Sequence, residues 1–236
     1  MSASIPVSSR LNWTALRQRA VVPCIGGAIF FLLAILVHRQ VLAGLDLRVT
    51  LFVAPFGNPT VDALGEAIAI AVSSELCLIY AALIAALLWR AGFGWWSVAS
   101  FAFVFLEPIE LLGKFFIYQR PVPSEFYRWV YYPLVTLTLN GSFPSGHAMR
   151  SAFFFTFLIV FLITRGGWLA RIGPALCLVA LLFVGFTRIY LGYHWFSDVV
   201  AGDILGVSLG LFVASLLFRR EDVIVPQRFL EEKVSA

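Results

Sequence analysis

Six apolar runs, each near 20 residues long, constrain the fold of this chain more than any other feature. They cover roughly Ala20–Val37, Ala71–Trp89, Gly94–Gly113, Ser145–Thr164, Trp168–Thr187 and Trp195–Phe218. A helix of about 20 residues is long enough to cross the hydrocarbon core of a bilayer. Every backbone polar group in lipid needs an internal partner, and no ten-residue strands of alternating hydrophobicity occur, so helices are favoured over a barrel. The sequence therefore predicts an all-α, polytopic membrane protein with six transmembrane helices in a bundle.

The composition supports this fold class and excludes others. Hydrophobic residues make up 61% of the chain and charged residues only 13%, whereas about a quarter of an average soluble protein is charged. The 17 Lys and Arg residues are scattered, without a basic cluster of the kind that binds nucleic acid. The three cysteines lie inside apolar runs and have no metal-ligand spacing. We therefore expect no nucleic-acid partner and no metal or other cofactor.

No repeat, low-complexity tract or linker divides the chain, so we interpret residues 1–236 as a single membrane-embedded domain. Residues 1–19 are its polar N-terminal segment, and residues 219–236 are a charged tail. Ten Lys and Arg residues outside the apolar runs or near their ends lie on the predicted face of the two termini, against six on the opposite face. Because cytoplasmic loops carry an excess of positive charge, both termini are predicted in the cytoplasm of a multi-pass cell-membrane protein.

The stretches between the apolar runs predict interfacial structure. Leu51–Phe56 and Thr60–Ile70 are largely apolar but are interrupted by proline and glycine, which indicates short interfacial or re-entrant helices. Val122–Ser142 carries aromatic residues of the kind found at headgroup depth. We expect this last segment to cover a site on the outer face.

A histidine and an aspartate four residues apart, His194 and Asp198, lie on the predicted outer face. On an α-helix this spacing places them about 40° apart, so the carboxylate can reach one imidazole nitrogen. Such a pairing fixes the tautomer, leaves the other nitrogen able to attack or to accept a proton, and stabilises the imidazolium. Arg188, six residues before the histidine, would face the anion that His194 addresses.

A second polar segment reads Pro-Ser-Gly-His and opens the fourth apolar run at Ser145. A proline in the first turn and unbonded backbone N–H groups make a helix start an anion-binding site. The Ser145 hydroxyl adds a polar group, Gly146 permits close approach, and His147 can donate a proton to a leaving oxygen. With the planar guanidinium groups of Arg120 and Arg188, these residues indicate phosphoryl transfer in which cations hold the phosphate oxygens.

These segments resemble the signature of the type 2 phosphatidic acid phosphatase superfamily of integral membrane lipid phosphatases, and the chain is similar to its undecaprenyl-diphosphatase-like members. The second block of that signature, Pro-Ser-Gly-His, is present at residues 144–147. The third block, Ser-Arg-x5-His-x3-Asp, is present with Thr187 in place of serine. The motifs extend from Lys114 to Asp198, and the six-helix layout extends the similarity over nearly the whole chain.

The resemblance implies a mechanism and a set of site residues. His194 attacks phosphorus and forms a phosphohistidine, while Asp198 orients the imidazole. His147 protonates the departing lipid oxygen, and water then releases phosphate. The phosphate oxygens are held by Lys114, Arg120, Ser145, the Gly146 N–H and Arg188. Members of this family usually need no metal.

The first block of the family signature is shortened here. The family pattern is Lys-x6-Arg-Pro, whereas five residues separate Lys114 from Arg120, and Gly113 holds the regular lysine position. On a continuous helix the change places the two side chains about 120° apart, although a helix that ends near Phe116 would restore the geometry. Lys114 also has a competing partner in Glu110, four residues earlier. The sequence therefore leaves two alternatives for Lys114: a contact with phosphate and an ion pair with Glu110.

The leading hypothesis is a phosphatase for a lipid or isoprenoid phosphate or diphosphate, with its site on the outer face. Undecaprenyl diphosphate, phosphatidylglycerol phosphate and phosphatidic acid all fit, transfer to another acceptor would use the same site, and the oligomeric state is left open. The alternative is a catalytically silent lipid-phosphate binder or transporter with an ion path formed by Glu107, Glu110 and Asp203. A vanadate-dependent haloperoxidase is disfavoured because those proteins are soluble. Arg150 and Asp203, both at membrane depth, could pair across helices, and Arg150, one turn after His147, has the alternative role of influencing the pKa of that histidine.

Overall fold

The computed structural model describes residues 10–11, 13–128, 141–218 and 224–225. This part of the chain is helical, apart from a two-residue antiparallel pairing of β1 (Arg10–Leu11) with β2 (Ile224–Val225). Eight α-helices are α1 (Trp13–His38), α2 (Ala43–Val53), α3 (Pro59–Ala71), α4 (Ser74–Leu88), α5 (Leu106–Phe116), α6 (Gly146–Arg165), α7 (Gly167–Tyr190) and α8 (Phe196–Phe218). A π-helical turn, Trp89–Phe93, and a 3₁₀ helix, Gly94–Phe105, join α4 to α5.

Five helical stretches of the described residues are long and apolar enough to cross a membrane: Gln18–His38, Ser74–Phe116, Gly146–Thr164, Gly167–Tyr190 and Phe196–Phe218. The predicted count of six is not reproduced as such, because the second and third predicted helices are joined in one stretch of 43 residues. Large apolar side chains cover the outside of these helices, including Phe31 at 68% exposure and Leu87 at 67%. Such a surface suits hydrocarbon rather than water.

The 43-residue stretch turns back on itself. Gly92 and Gly94 have φ angles of 84° and 55°, in the left-handed region that favours glycine. On either side of this turn, Ser100 Oγ donates a hydrogen bond to Ala81 O at 3.0 Å. Farther from the turn, Ser74 Oγ bonds to Glu107 Oε1 at 3.3 Å. The two arms therefore run antiparallel, which brings the start of α4 next to α5.

The backbones of α6 and α8 pack in close contact, and the two helices run parallel. Three glycines spaced four residues apart on α8 face α6: Gly202, Gly206 and Gly210. An added Cβ on the first would lie 2.5 Å from Ser145 O, on the second would overlap Met149 O, and on the third would lie 2.8 Å from Phe153 O. Small residues of this kind let helices approach in lipid. The packing places the first turns of α6 and α8 side by side.

The two predicted interfacial helices are present with different limits. Asn58 caps α3, where its side-chain oxygen accepts hydrogen bonds from the backbone N–H groups of Thr60 and Val61, each at 3.0 Å. Pro59 occupies the first helical position, which needs no N–H donor. The other helix, α2, begins at Ala43 rather than near residue 51, so the prediction missed its first two turns. Those turns carry the buried carboxylate of Asp46.

Candidate active site

The three predicted motif segments meet at one end of the bundle. The backbone N–H of Ser145 donates to the carbonyl oxygen of Asp198 at 3.0 Å, which joins the second segment to the third. Trp195 Nε1 donates to the carbonyl oxygen of Arg120 at 2.7 Å, which joins the third to the first. Gly113 packs so closely on Pro144 that an added Cβ would overlap the proline ring. Residues more than 70 positions apart in the chain thus form one cluster.

The structure pairs His194 with Asp198 in a geometry different from the predicted one. His194 precedes α8, which begins at Phe196, so the two residues do not lie on neighbouring turns of one helix. Asp198 is in the first turn, fully buried, and its Oδ2 accepts a hydrogen bond from Trp195 N at 3.0 Å. The same Oδ2 lies 3.5 Å from His194 Nδ1, an ion-pair distance that is long for a hydrogen bond. An aspartate that caps its own helix therefore also faces the imidazole.

Ser145 is the N-cap of α6, so the backbone N–H groups of the residues that directly follow it have no carbonyl partner within the helix. Its Oγ accepts from Ala148 N at 3.4 Å. Helix α6 begins at Gly146, so Pro144 lies outside the first turn in which the sequence predicted it. His147 is the second residue of the helix, and Arg150, Arg188, His194 and Lys114 are near enough to act electrostatically on its imidazole. Both histidines thus belong to one cluster of charged residues.

Two arginines are fixed by backbone carbonyls and aromatic rings. Arg120 donates from one Nη to Ala43 O at 2.7 Å, and its guanidinium lies 4.2 Å from the centroid of the Trp195 ring. Arg188 is buried and donates to Gly65 O at 2.8 Å. Arg120 Nε has no hydrogen-bond partner within the described part of the chain. Fixed guanidinium groups of this kind are preorganised for an anion.

A network of ion pairs runs between α5 and α6. Arg150 Nη1 lies 3.0 Å from Glu107 Oε1 and 3.0 Å from Glu110 Oε2, and Glu110 also pairs with Lys114. The Glu110 carboxylate lies directly against the Cα of Gly146. The prediction that Arg150 pairs with Asp203 is wrong, because the packing of α5 on α6 supplies two nearer carboxylates. Helix α5 ends at Phe116, so the Lys114–Arg120 spacing does not lie on a continuous helix.

Sequence reasoning missed several buried polar groups beside Asp198. Gln119 Nε2 donates to Asp198 Oδ1 at 3.2 Å, and Asp46 accepts from the backbone N–H and hydroxyl of Ser197 at 2.9 Å each. Burial raises the pKa of the Asp46 carboxyl, although these hydrogen bonds oppose the shift. Asp46 belongs to none of the motifs, so the one sequence signal that could have identified it is its position as an acidic residue in an apolar stretch.

The aromatic segment predicted to cover the site is described only in part, because residues 129–140 lie outside the described residues. In the described part, Arg128 N donates to Leu191 O at 3.3 Å and Arg128 Nε to Asp62 Oδ1 at 3.1 Å. An added Cβ on Gly192 would lie 2.6 Å from Phe126 O. This part therefore packs on the turn that follows α7. Within the described residues, no three His, Cys, Asp or Glu side chains are grouped so that they could hold a metal ion.

Known proteins are similar to this chain over the part that contains these residues. The sequence profile of the PAP2 superfamily matches residues 77–222. Phosphatidylglycerophosphatase B of Bacillus subtilis (strain 168) is 35% identical over 75 residues, which are 30% of this chain and 37% of that protein. Undecaprenyl-diphosphatase of Sulfolobus acidocaldarius is 35% identical over 110 residues, 47% of this chain and 42% of that protein. Each match spans less than half the length of the relative.

The fold is similar to that of a solved membrane protein. The crystal structure of a transmembrane PAP2 type phosphatidylglycerolphosphate phosphatase from Bacillus subtilis has a TM-score of 0.67 to this chain, at 24% sequence identity. The similarity covers 82% of this chain and 94% of that one. The matched profile spans more than half of the chain and includes all three motif segments. The resemblance predicted from those segments is confirmed: this chain belongs to the PAP2 superfamily.

Proposed function

We propose that this protein is a metal-independent phosphatase for a lipid or isoprenoid phosphate or diphosphate. The observation that carries the proposal is the hydrogen bond from Ser145 N to Asp198 O, which joins the start of α6 to the aspartate that faces His194. The names of the two relatives, a phosphatidylglycerophosphatase and an undecaprenyl-diphosphatase, support a phosphorylated lipid as the substrate. A panel of lipid substrates determines which lipid the protein binds.

The proposed reaction has two steps. His194 Nε2 attacks the terminal phosphorus while the bond from phosphorus to the leaving oxygen breaks, and His147 gives its proton to that oxygen. The leaving oxygen is the lipid oxygen of a monophosphate or the bridging oxygen of a diphosphate. Asp198 stabilises the positive charge that forms on the imidazole. In the second step His147 takes a proton from water, the hydroxide attacks phosphorus, and the bond to His194 breaks to release inorganic phosphate.

The cations supply the electrostatic stabilisation in this proposal. Arg120 and Arg188 supply planar donors, and the Gly146 N–H lies at the positive end of α6. Lys114 adds a point charge that it already shares with Glu110. Negative charge that develops on the phosphoryl oxygens would meet donors that are already in position, so little reorganisation is required.

We further infer six membrane crossings, with both termini in the cytoplasm and the site on the outer face. The antiparallel arms of Ser74–Phe116 support two crossings in that stretch, and the excess of Lys and Arg on the side of the termini supports the orientation. A membrane-impermeant thiol reagent tests the orientation on a Ser124→Cys variant in intact cells. Labelling that requires lysis would contradict an outward-facing site.

The decisive experiment is phosphate release by the purified protein in detergent with excess EDTA, from a panel of lipid phosphates and diphosphates. His194→Ala is expected to lower kcat by about 10⁴-fold or more, as removal of a nucleophile does in other covalent enzymes. His38→Ala is the matched control, because this histidine lies at the end of α1 and bonds only to the backbone N–H of Tyr118 among the described residues. An acid-labile, alkali-stable phosphoenzyme should accumulate in wild type during turnover.

Two results would oppose the proposal in different ways. Turnover retained in His194→Ala would remove that histidine as the nucleophile. Binding of a lipid phosphate without any phosphate release by wild type would favour a silent binder or transporter instead.

A further inference from the structure

A second buried carboxylate lies behind the one that faces His194. Asp46, on α2, is 1% exposed and approaches Asp198 through two intermediaries. Its Oδ1 accepts from Ser197 N at 2.9 Å, and its Oδ2 accepts from Ser197 Oγ at 2.9 Å. The Oδ2 atom is also 3.4 Å from Gln119 Nε2. Both oxygens of Asp46 are thus directed at the first turn of α8 and at the residue before Arg120.

Gln119 bridges the two carboxylates. Its Nε2 lies 3.2 Å from Asp198 Oδ1 as well as 3.4 Å from Asp46 Oδ2, and its Oε1 accepts from Gln40 Nε2 at 3.3 Å. The same Nε2 also lies 3.2 Å from Ser197 Oγ, which itself donates to Asp46 Oδ2. The two amide hydrogens therefore link Asp198 to Asp46 both directly and through the Ser197 hydroxyl. The opposite amide orientation would place an oxygen against two carboxylates, which is strongly unfavourable in a buried site. The contacts therefore define one orientation of the amide.

We infer that Asp46 is a positioning residue that fixes Asp198, and through it His194, by way of Gln119 and Ser197. The inference rests on the proposed function, and it gives α2 a part in the reaction that neither the motifs nor the family match assigns. Asp198 Oδ1 is engaged by Gln119, which leaves Oδ2 directed at Trp195 N and His194 Nδ1. Without the amide, the carboxylate can rotate about its own axis and lose the direction it gives to the imidazole.

Polar groups surround the buried carboxyl of Asp46. Burial raises the pKa of this carboxyl, and the neighbouring charge of Asp198 adds to the shift. Hydrogen bonds from Ser197 and Gln119 oppose the shift by favouring the ionised form. A carboxylate used only to cap α8 would not need a bridge to Asp198, because its two hydrogen bonds from Ser197 already provide that cap. The bridge is the observation that points to a function.

Asp46→Asn tests the inference with little change in shape. The new amide can still accept from Ser197 N, but its NH₂ group then faces the NH₂ group of Gln119, so the bridge breaks. We expect the rate of phosphoenzyme formation, measured in single-turnover rapid quench, to fall by about tenfold to a hundredfold. The dissociation constant of the substrate, taken from the concentration dependence of the single-turnover rate, and the inhibition constant of inorganic phosphate should stay within twofold, because no phosphate ligand is removed. A merely structural defect would not lower the rate of phosphoenzyme formation while leaving the binding of substrate and phosphate unchanged.

Two further variants and one control complete the test. Gln119→Met removes the bridging donors at similar volume and should give the same kinetic signature, so the inference stays testable if Asp46→Asn does not fold. The double variant should be no slower than the slower single variant, because both break the same link. Asp203→Asn is the same substitution at an aspartate on α8, and this variant should be phosphorylated at the wild-type rate.

The outcomes separate this inference from the proposed function. Absence of turnover in wild type would overturn both. A wild type that turns over, together with an Asp46→Asn variant within twofold of it, would overturn the positioning role alone. The role would also be overturned by losses that multiply in the double variant with Gln119→Met, or by an inhibition constant of phosphate that rises in proportion to the loss of rate.

Discussion

The close contact of α6 with α8 predicts that one methyl group added on α8 will lower kcat strongly but thermal stability only modestly. Gly202 lies one turn after Asp198, and its added Cβ would be 2.5 Å from Ser145 O, 3.1 Å from Ala148 Cβ and 3.2 Å from Met149 N. Ordinary contacts begin near 3.4 Å. The atoms that obstruct are mostly backbone, so the two helices must separate by about 1 Å in Gly202→Ala.

This separation acts directly on the site. Ser145 N donates to Asp198 O at 3.0 Å, so the displaced helices carry His147 away from His194. A misplacement of about 1 Å can cost about a hundredfold in rate. Overpacking costs about 1–3 kcal/mol of stability, against a gain of up to about 1 kcal/mol from the higher helix propensity of alanine. We therefore expect kcat to fall by about a hundredfold with only a modest loss of thermal stability.

Two other glycines make the test a matched series. Gly27, on α1, has nothing within 4 Å of an added Cβ, so Gly27→Ala should keep wild-type activity and melt at the same or a higher temperature. Gly210 faces Phe153 O at 2.8 Å, two turns farther from Asp198, so Gly210→Ala should lose stability but retain more activity than Gly202→Ala. Phosphate release and melting in detergent measure both quantities. Equal activity of the Gly202 and Gly27 variants would refute the argument that this contact sets the site.

Two further predictions concern the charged residues around the site. Lys114→Ala is expected to lower kcat/KM by orders of magnitude, whereas near-normal turnover would show that the lysine serves only as a partner of Glu110. Burial raises the pKa of Glu66, although the hydroxyl of Tyr193 and the charge of Arg188 oppose the shift. The folded chain then holds more protons at this group than the unfolded chain, so its contribution to stability falls as pH rises through the raised pKa. At pH values above that raised pKa, the Glu66→Gln variant should therefore have a higher melting temperature than wild type. The difference in melting temperature should vanish below the pKa of the unfolded chain. A difference that grows in acid would contradict the expected direction.

The sequence was most informative where chemistry is encoded in short segments. Six apolar runs indicated a helical membrane protein, and residues 144–147 and 187–198 indicated the family, because each segment carries its polar groups within a few positions. The pairing of His194 with Asp198 was expected for the wrong local reason. A period of 3.6 residues applies only inside a helix, and His194 lies before one. The side chains still meet because Asp198 folds back onto its own helix start, where it also bonds to Trp195 N.

Contacts between helices were beyond the reach of periodicity. An arginine at membrane depth predicts a carboxylate partner but not which one, and Arg150 meets Glu107 and Glu110 because α5 packs on that side of α6. Asp46 is a stronger example. It lies on a helix whose first turns were missed, and its importance depends on Gln119 and Ser197, which are more than 70 residues away in the chain.

The shortened first motif shows why a departure from a family pattern has to be judged by packing. The family lysine position is occupied by Gly113, where an added Cβ would overlap Pro144 and lie 2.9 Å from Phe143 O. No lysine can stand there while α5 packs on the segment that precedes α6. The lysine one position later escapes this contact, and Glu110 and the end of α5 at Phe116 then determine its direction. Spacing to Arg120 along a helix is therefore the wrong measure, since α5 ends at Phe116 and the backbone is extended at Ile117, before Arg120.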